Sequence, residues 1–88
     1  MPTRTTTIAA ASGLHARPAA MFVQAASKSG LAVTIGRPGE TPVDARSILS
    51  VMGLGAKFGE TIELTAEGEN AEAVLDTLVA NLQTDPEA

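Results

Sequence analysis

Thr61-Ile62-Glu63-Leu64-Thr65-Ala66 and, four polar or glycine residues later, Ala71-Glu72-Ala73-Val74-Leu75-Asp76-Thr77-Leu78-Val79-Ala80-Asn81-Leu82 place two different periodicities side by side. The first six residues alternate polar and apolar, as a strand with one wet and one buried face must. In the next twelve, Ala71, Val74, Leu75, Leu78, Val79 and Leu82 recur at the spacing of one helical stripe over three turns. Asn70 is predicted to be the N-cap of that helix. A half-wet strand and an amphipathic helix can each bury an apolar side only against another layer, which points to an α+β fold.

Toward the N-terminus the same two patterns recur. Ala19, Phe22, Val23 and Ala26 form the stripe of a helix over residues 16–28, which Gly30 ends. Ala32-Val33-Thr34-Ile35 reads as a short alternating strand, and Thr5-Thr6-Thr7-Ile8-Ala9, rich in β-branched residues, as the first strand. Residues 36–39 form a turn, followed by a short strand, Thr41-Pro42-Val43-Asp44. Pro42 has no N–H for a ladder and places that strand on a sheet edge. Ser47-Ile48-Leu49-Ser50-Val51-Met52 reads as a short helix closing at Gly53 or Gly55. The order is β-α-β-β-α-β-α, and the expected architecture is a two-layer sandwich with helices on one face of an antiparallel sheet.

The composition narrows the chemistry. Eighty-eight residues with no repeat, linker or low-complexity tract are expected to form one domain, 1–88, with residues 84–88 as a fraying polar tail. The two phenylalanines are the only aromatics and the net charge is −4, so neither a base-stacking platform nor a basic phosphate-binding face is available for nucleic acid. With no cysteine and a single histidine, disulfides, thiolate catalysis and histidine-rich metal sites drop out, and neither metal nor cofactor is expected. Residues 1–7 lack the apolar run of a signal peptide and no stretch has membrane-spanning length, so no membrane insertion and a cytoplasmic location are expected.

The chemistry concentrates in Ser12-Gly13-Leu14-His15-Ala16-Arg17-Pro18, at the junction of the first strand and first helix. Pro18 carries the φ of a first helical turn, and it disfavours the α region for Arg17, so an irregular start is expected there. His15 then lies at or next to the N-cap. The unpaired N–H groups of a helix start, with the positive end of its dipole, receive anions. Arg17 can add a guanidinium to phosphoryl oxygens. Imidazole is a nucleophile near neutral pH and leaves readily once protonated. The same arrangement also serves a capping or surface histidine, or a module that binds phosphate or carboxylate without reacting.

Gly13-Leu14-His15-Ala16-Arg17-Pro18-Ala19 resembles the active-site signature of the HPr family of phosphocarriers. Arg46-Ser47-Ile48-Leu49-Ser50-Val51-Met52-Gly53-Leu54-Gly55 resembles that family's regulatory-serine segment. The resemblance extends from about residue 4 to residue 82, with a turn over 36–42 one residue longer than the common form and Arg46 where lysine is usual. It implies an open-faced sandwich of sheet order 1-4-2-3 with three helices on one face. It further implies that His15 accepts a phosphoryl group at Nδ1 from enzyme I, ultimately from phosphoenolpyruvate, and passes it to sugar-specific enzyme IIA domains. Arg17 would attend the phosphoryl group, with Ser12, Ala16 and Pro18 in supporting positions. Ala20, Ile48, Leu49 and Met52 would line a shared docking surface, and Ser47 would be the target of a serine kinase/phosphorylase.

Each docking residue can equally be core, although Val51 with Ile48, Leu49 and Met52 exceeds what one face of a short helix can bury. Ser47 is also a favoured helix cap whether or not it is modified. Within the same resemblance, a paralogue serving a nitrogen-related regulatory chain, or a regulator that docks without transferring phosphate, would share most of these features. A stand-alone hydrolase is excluded by the lack of a convincing nucleophile–base pair.

Overall fold

The strand read at residues 61–66 is the hub of the molecule. In the computed structural model, which describes residues 2–14 and 16–84, it forms β4 (Thr61–Glu67) between β1 (Thr3–Thr7) and β2 (Ala32–Gly36). β3 (Val43–Asp44) adds to the free side of β2, so all pairs are antiparallel and the order is β1-β4-β2-β3. Three helices complete the chain: α1 (Ala16–Lys28), α2 (Ile48–Gly53) and α3 (Ala71–Leu82). The sheet order and layering agree with those expected from the sequence.

Alternation decides which side of the sheet is covered. Ile62, Leu64 and Ala66 of β4 and Val33 and Ile35 of β2 are buried, as are Phe22 of α1, Val51 of α2 and Leu75, Leu78 and Leu82 of α3. These side chains form one core cluster to which all three helices contribute. Phe22 is its largest member and is wholly enclosed; burying such a ring is worth about 1.5–3 kcal/mol. On the other side Thr3, Thr5, Thr7, Thr61 and Glu67 stand exposed, with Glu63 and Thr65 half-buried among them.

Several boundaries differ from the sequence reading, each for a local reason. β1 runs over residues 3–7 instead of 5–9, because its threonines pair with β4 from Thr3↔Thr65 to Thr7↔Thr61. This register points Arg4 and Thr6 to the helix side. There Arg4 reaches Glu72 and Asp76 of α3, both at 3.3 Å, and buried Thr6 accepts a hydrogen bond from the Gln83 amide at 3.1 Å. β3 keeps only Val43 and Asp44 on the sheet edge, since Pro42 cannot donate. Gly30, at φ +74°, follows α1 as expected.

Asn70 precedes α3 but does not cap it with its side chain. It adopts φ +63°, a left-handed turn that asparagine tolerates well, and its carbonyl accepts from the Val74 N–H at 2.9 Å. The Thr84 hydroxyl donates to the Ala80 carbonyl at 2.9 Å, while the rest of the expected tail, residues 85–88, lies outside the described residues.

Candidate functional site

The segment before His15 is fastened by its backbone. The Ile8 N–H donates to the Glu60 carbonyl at 3.1 Å and the Gly59 N–H to the Ile8 carbonyl at 2.8 Å, which ties the end of β1 to the loop before β4. The chain then turns, with the Gly13 N–H on the Ala10 carbonyl at 2.9 Å and the Leu14 N–H on the Ala56 carbonyl at 2.8 Å. Gly13 adopts φ +86°, and a Cβ there would lie 2.8 Å from the Ala56 oxygen, so the close approach requires glycine. Leu14 is buried, whereas Ser12 is exposed on the loop surface.

His15 lies outside the described residues. Ala16 opens α1 at φ +25°, a conformation that costs an L-residue roughly 1–2 kcal/mol. The irregularity expected at Arg17 therefore falls one residue earlier. Arg17 is exposed in the first turn and makes no ion pair among the described residues, and that turn contains no acidic residue. A positive charge thus stands in the first turn of a helix, the end at which backbone N–H groups and the dipole favour anions. Pro18 is buried as the packed base of this turn, and Ala20 is half-buried. Leu14 and Pro18, on either side of His15 in the chain, share with Ile8, Ala10 and Met21 the wall of an apolar cleft of about 340 Å³ that reaches α3.

The second sequence block forms the neighbouring surface. α2 packs against α1, and the loop that leaves α2 carries Ala56, the acceptor for Leu14. Ser47 caps α2: its hydroxyl accepts from the Ser50 N–H at 3.3 Å in an extended conformation suited to an N-cap. Val51 alone among the apolar residues of α2 is fully buried. Leu49 is 81% exposed, and Ile48 and Met52 are 37% and 39% exposed. Sequence reasoning overlooked Phe58, which is 65% exposed on the loop after α2, and Met21, exposed beside the apolar cleft. A Phe between Lys57 and Gly59 carries no periodic signal, which is why Phe58 escaped notice.

Two carboxylates near these elements are tuned by arginines. The Asp44 carboxylate accepts from the Arg46 backbone N–H at 2.9 Å and from its guanidinium at 3.2 Å, and the backbone bond is the larger cause of its lowered pKa. Arg46, just before Ser47, is therefore already paired. Glu60 is lowered chiefly by the Arg37 guanidinium and further by the Lys57 N–H. Among the described residues no group of three or more His, Asp or Glu side chains is disposed to hold a metal ion, and no helix is long and apolar enough to cross a membrane.

Comparisons with known proteins agree with this geometry. Residues 2–84 match the family model described as the PTS HPr component phosphorylation site. The chain is 49% identical to the phosphocarrier protein HPr of Streptomyces coelicolor over 78 residues, covering 89% of this chain and 84% of that protein. It is also 49% identical to the phosphocarrier protein HPr of Haloferax volcanii over 86 residues, covering 97% and 96%. Among solved structures, the phosphocarrier protein HPr from Bacillus anthracis superposes with a TM-score of 0.86 at 36% identity, covering 93% of this chain and 96% of that one. The chain, with its 1-4-2-3 antiparallel sheet and the match over residues 2–84, belongs to the HPr family of phosphotransferase-system phosphocarriers.

Proposed function

We propose that this protein carries a phosphoryl group on His15, accepting it from phosphorylated enzyme I and delivering it to sugar-specific enzyme IIA domains. The observation that carries the reading is the turn after His15, where exposed Arg17 has no ion-pair partner among the described residues and no acid opposes an incoming dianion. In the forward step the neutral imidazole Nδ1 attacks phosphorus, and a new N–P bond forms as the donor's bond to phosphorus breaks. Arg17 and the first N–H groups of α1 offset the phosphoryl charge during exchange. The onward step reverses the roles, and the partner's nucleophile takes the group from a protonatable imidazole leaving group. Transfer of this kind needs positioning and charge stabilisation, much of which the docked partner can supply.

Docking is assigned to the exposed side chains of α2, Ile48, Leu49 and Met52, with Ala20 of α1. Flexible Met side chains suit a surface that meets several partners. Phosphorylation of Ser47 by a serine kinase would place a dianion at the start of α2. The helix end tolerates that charge, but an approaching partner would meet it at the docking surface.

The direct test is incubation with phosphoenolpyruvate and a cognate enzyme I. One acid-labile, base-stable phosphoryl group per chain is expected, and His15→Ala should abolish it. Labelling that persists in His15→Ala would overturn the assignment.

A further inference from the structure

We propose that the Arg37–Glu60 ion pair is a positioning device for the histidine segment, acting through the loop over residues 56–59. The inference rests on the phosphocarrier reading of His15. Arg37 lies in the turn after β2, and Glu60 immediately precedes β4. Their contact is two-pronged: Nε donates to Oε1 at 2.9 Å and the second guanidinium nitrogen to Oε2 at 3.1 Å. Paired N–H···O bonds of this kind fix orientation as well as distance. The same Oε2 accepts the Lys57 backbone N–H, while the Glu60 N–H donates to the Lys57 carbonyl at 3.0 Å. The Lys57 residue is thus held by Glu60 on both of its backbone groups.

Ala56 is next in the chain, and its carbonyl is the acceptor for Leu14 and the atom against which Gly13 is packed. A continuous series of contacts therefore runs from Arg37 through Glu60, Lys57 and Ala56 to Leu14, the residue that precedes His15. The loop needs an external hold. Gly55 at φ +63° precedes it and Gly59 at φ +80° is its last residue, both of high conformational freedom. Without Arg37 the Glu60 carboxylate loses its fixed orientation and can turn to water, releasing the Lys57 N–H. The ion pair of Arg4 differs: it makes single contacts with Glu72 and Asp76 and leads to α3, away from this loop.

The test combines native-state amide exchange with transfer kinetics for Arg37→Met, Glu60→Gln, Arg37→Lys and, as a control, Arg4→Met. In Arg37→Met and Glu60→Gln the Leu14 amide should exchange roughly threefold to fivefold faster, the scale of effect a partly exposed two-pronged pair supports. Turnover with enzyme I should fall by a similar factor while KM for the carrier stays unchanged, because α2 is untouched. Arg37→Lys should recover at least part of both effects, and Arg4→Met should leave Leu14 as in the wild type. Unchanged Leu14 exchange in both Arg37→Met and Glu60→Gln, or an equal effect in Arg4→Met, would overturn the proposal. If Leu14 exchange responds as expected but the wild-type protein accepts no phosphoryl group, the carrier reading fails and the loop-holding role of the pair stands.

Discussion

At the scale of single residues, Gly13 and Arg17 have opposite surroundings, the first packed against backbone and the second exposed. Gly13 serves the backbone, since any side chain there meets the Ala56 carbonyl and the positive φ is strained for an L-residue. Gly13→Ala should lose at least about 1–2 kcal/mol of stability in chemical denaturation, with transfer slowed because Leu14 is displaced. In the proposed transfer Arg17 attends the phosphoryl group, and it is exposed with no ion pair among the described residues. Arg17→Glu should slow phosphoryl transfer while leaving unfolding free energy within about 0.5 kcal/mol, the range usual for exposed positions. A large fall in thermal stability in that variant would assign Arg17 a structural role instead. Only one of the two was singled out by the sequence. Arg17 stood out as a cation beside a lone histidine, whereas the need for glycine at position 13 follows from the approach of Ala56, forty-three residues away, which no local pattern encodes.

At the scale of elements, the strongest periodicities in the sequence were the most faithful guides. Residues 61–82 gave their strand and helix almost to the residue, because alternation and the 3.6-residue stripe each report burial directly. The failures came where one residue type suits two conformations. Asn70 is favoured both as an N-cap and as a left-handed turn residue, and the tight turn from β4 into α3 selected the second. Asn70→Gly should therefore be nearly neutral in stability, while Asn70→Ala should cost about 1 kcal/mol from left-handed strain, a contrast that a side-chain cap would not produce. Ser47 presents the reverse outcome, since its hydroxyl does cap α2. Ser47→Ala should cost on the order of 1 kcal/mol by denaturant titration. The threonine run at residues 3–7 could slide as a strand without losing β-propensity, and only pairing with β4 fixed its register.

At the scale of the whole molecule, one layer of helices closes one side of the sheet, and the two tuned carboxylates sit around its β2–β3 end. Asp44 and Glu60 titrate below their ordinary values of 3.8 and 4.5 in the folded protein. Their contribution is complete above those values, where both states are ionised and only the folded state keeps the partners. It is lost as the pH falls through the lowered folded values. Stability measured by urea unfolding should therefore rise between about pH 3 and about pH 6, and Arg37→Met should flatten part of that rise. The two-layer architecture was readable because it follows from apolar patterning. The Arg37–Glu60 pair was not, since its partners stand twenty-three positions apart and meet only through the sheet. The wet threonine face has a practical consequence of its own. Thr5 is exposed there opposite Glu63, in a chain that contains no cysteine, so Thr5→Cys would provide a unique attachment point for a fluorophore. A dye tethered there would ride on the face turned away from the helices, reporting binding by slowed tumbling while leaving the proposed docking residues of α1 and α2 clear.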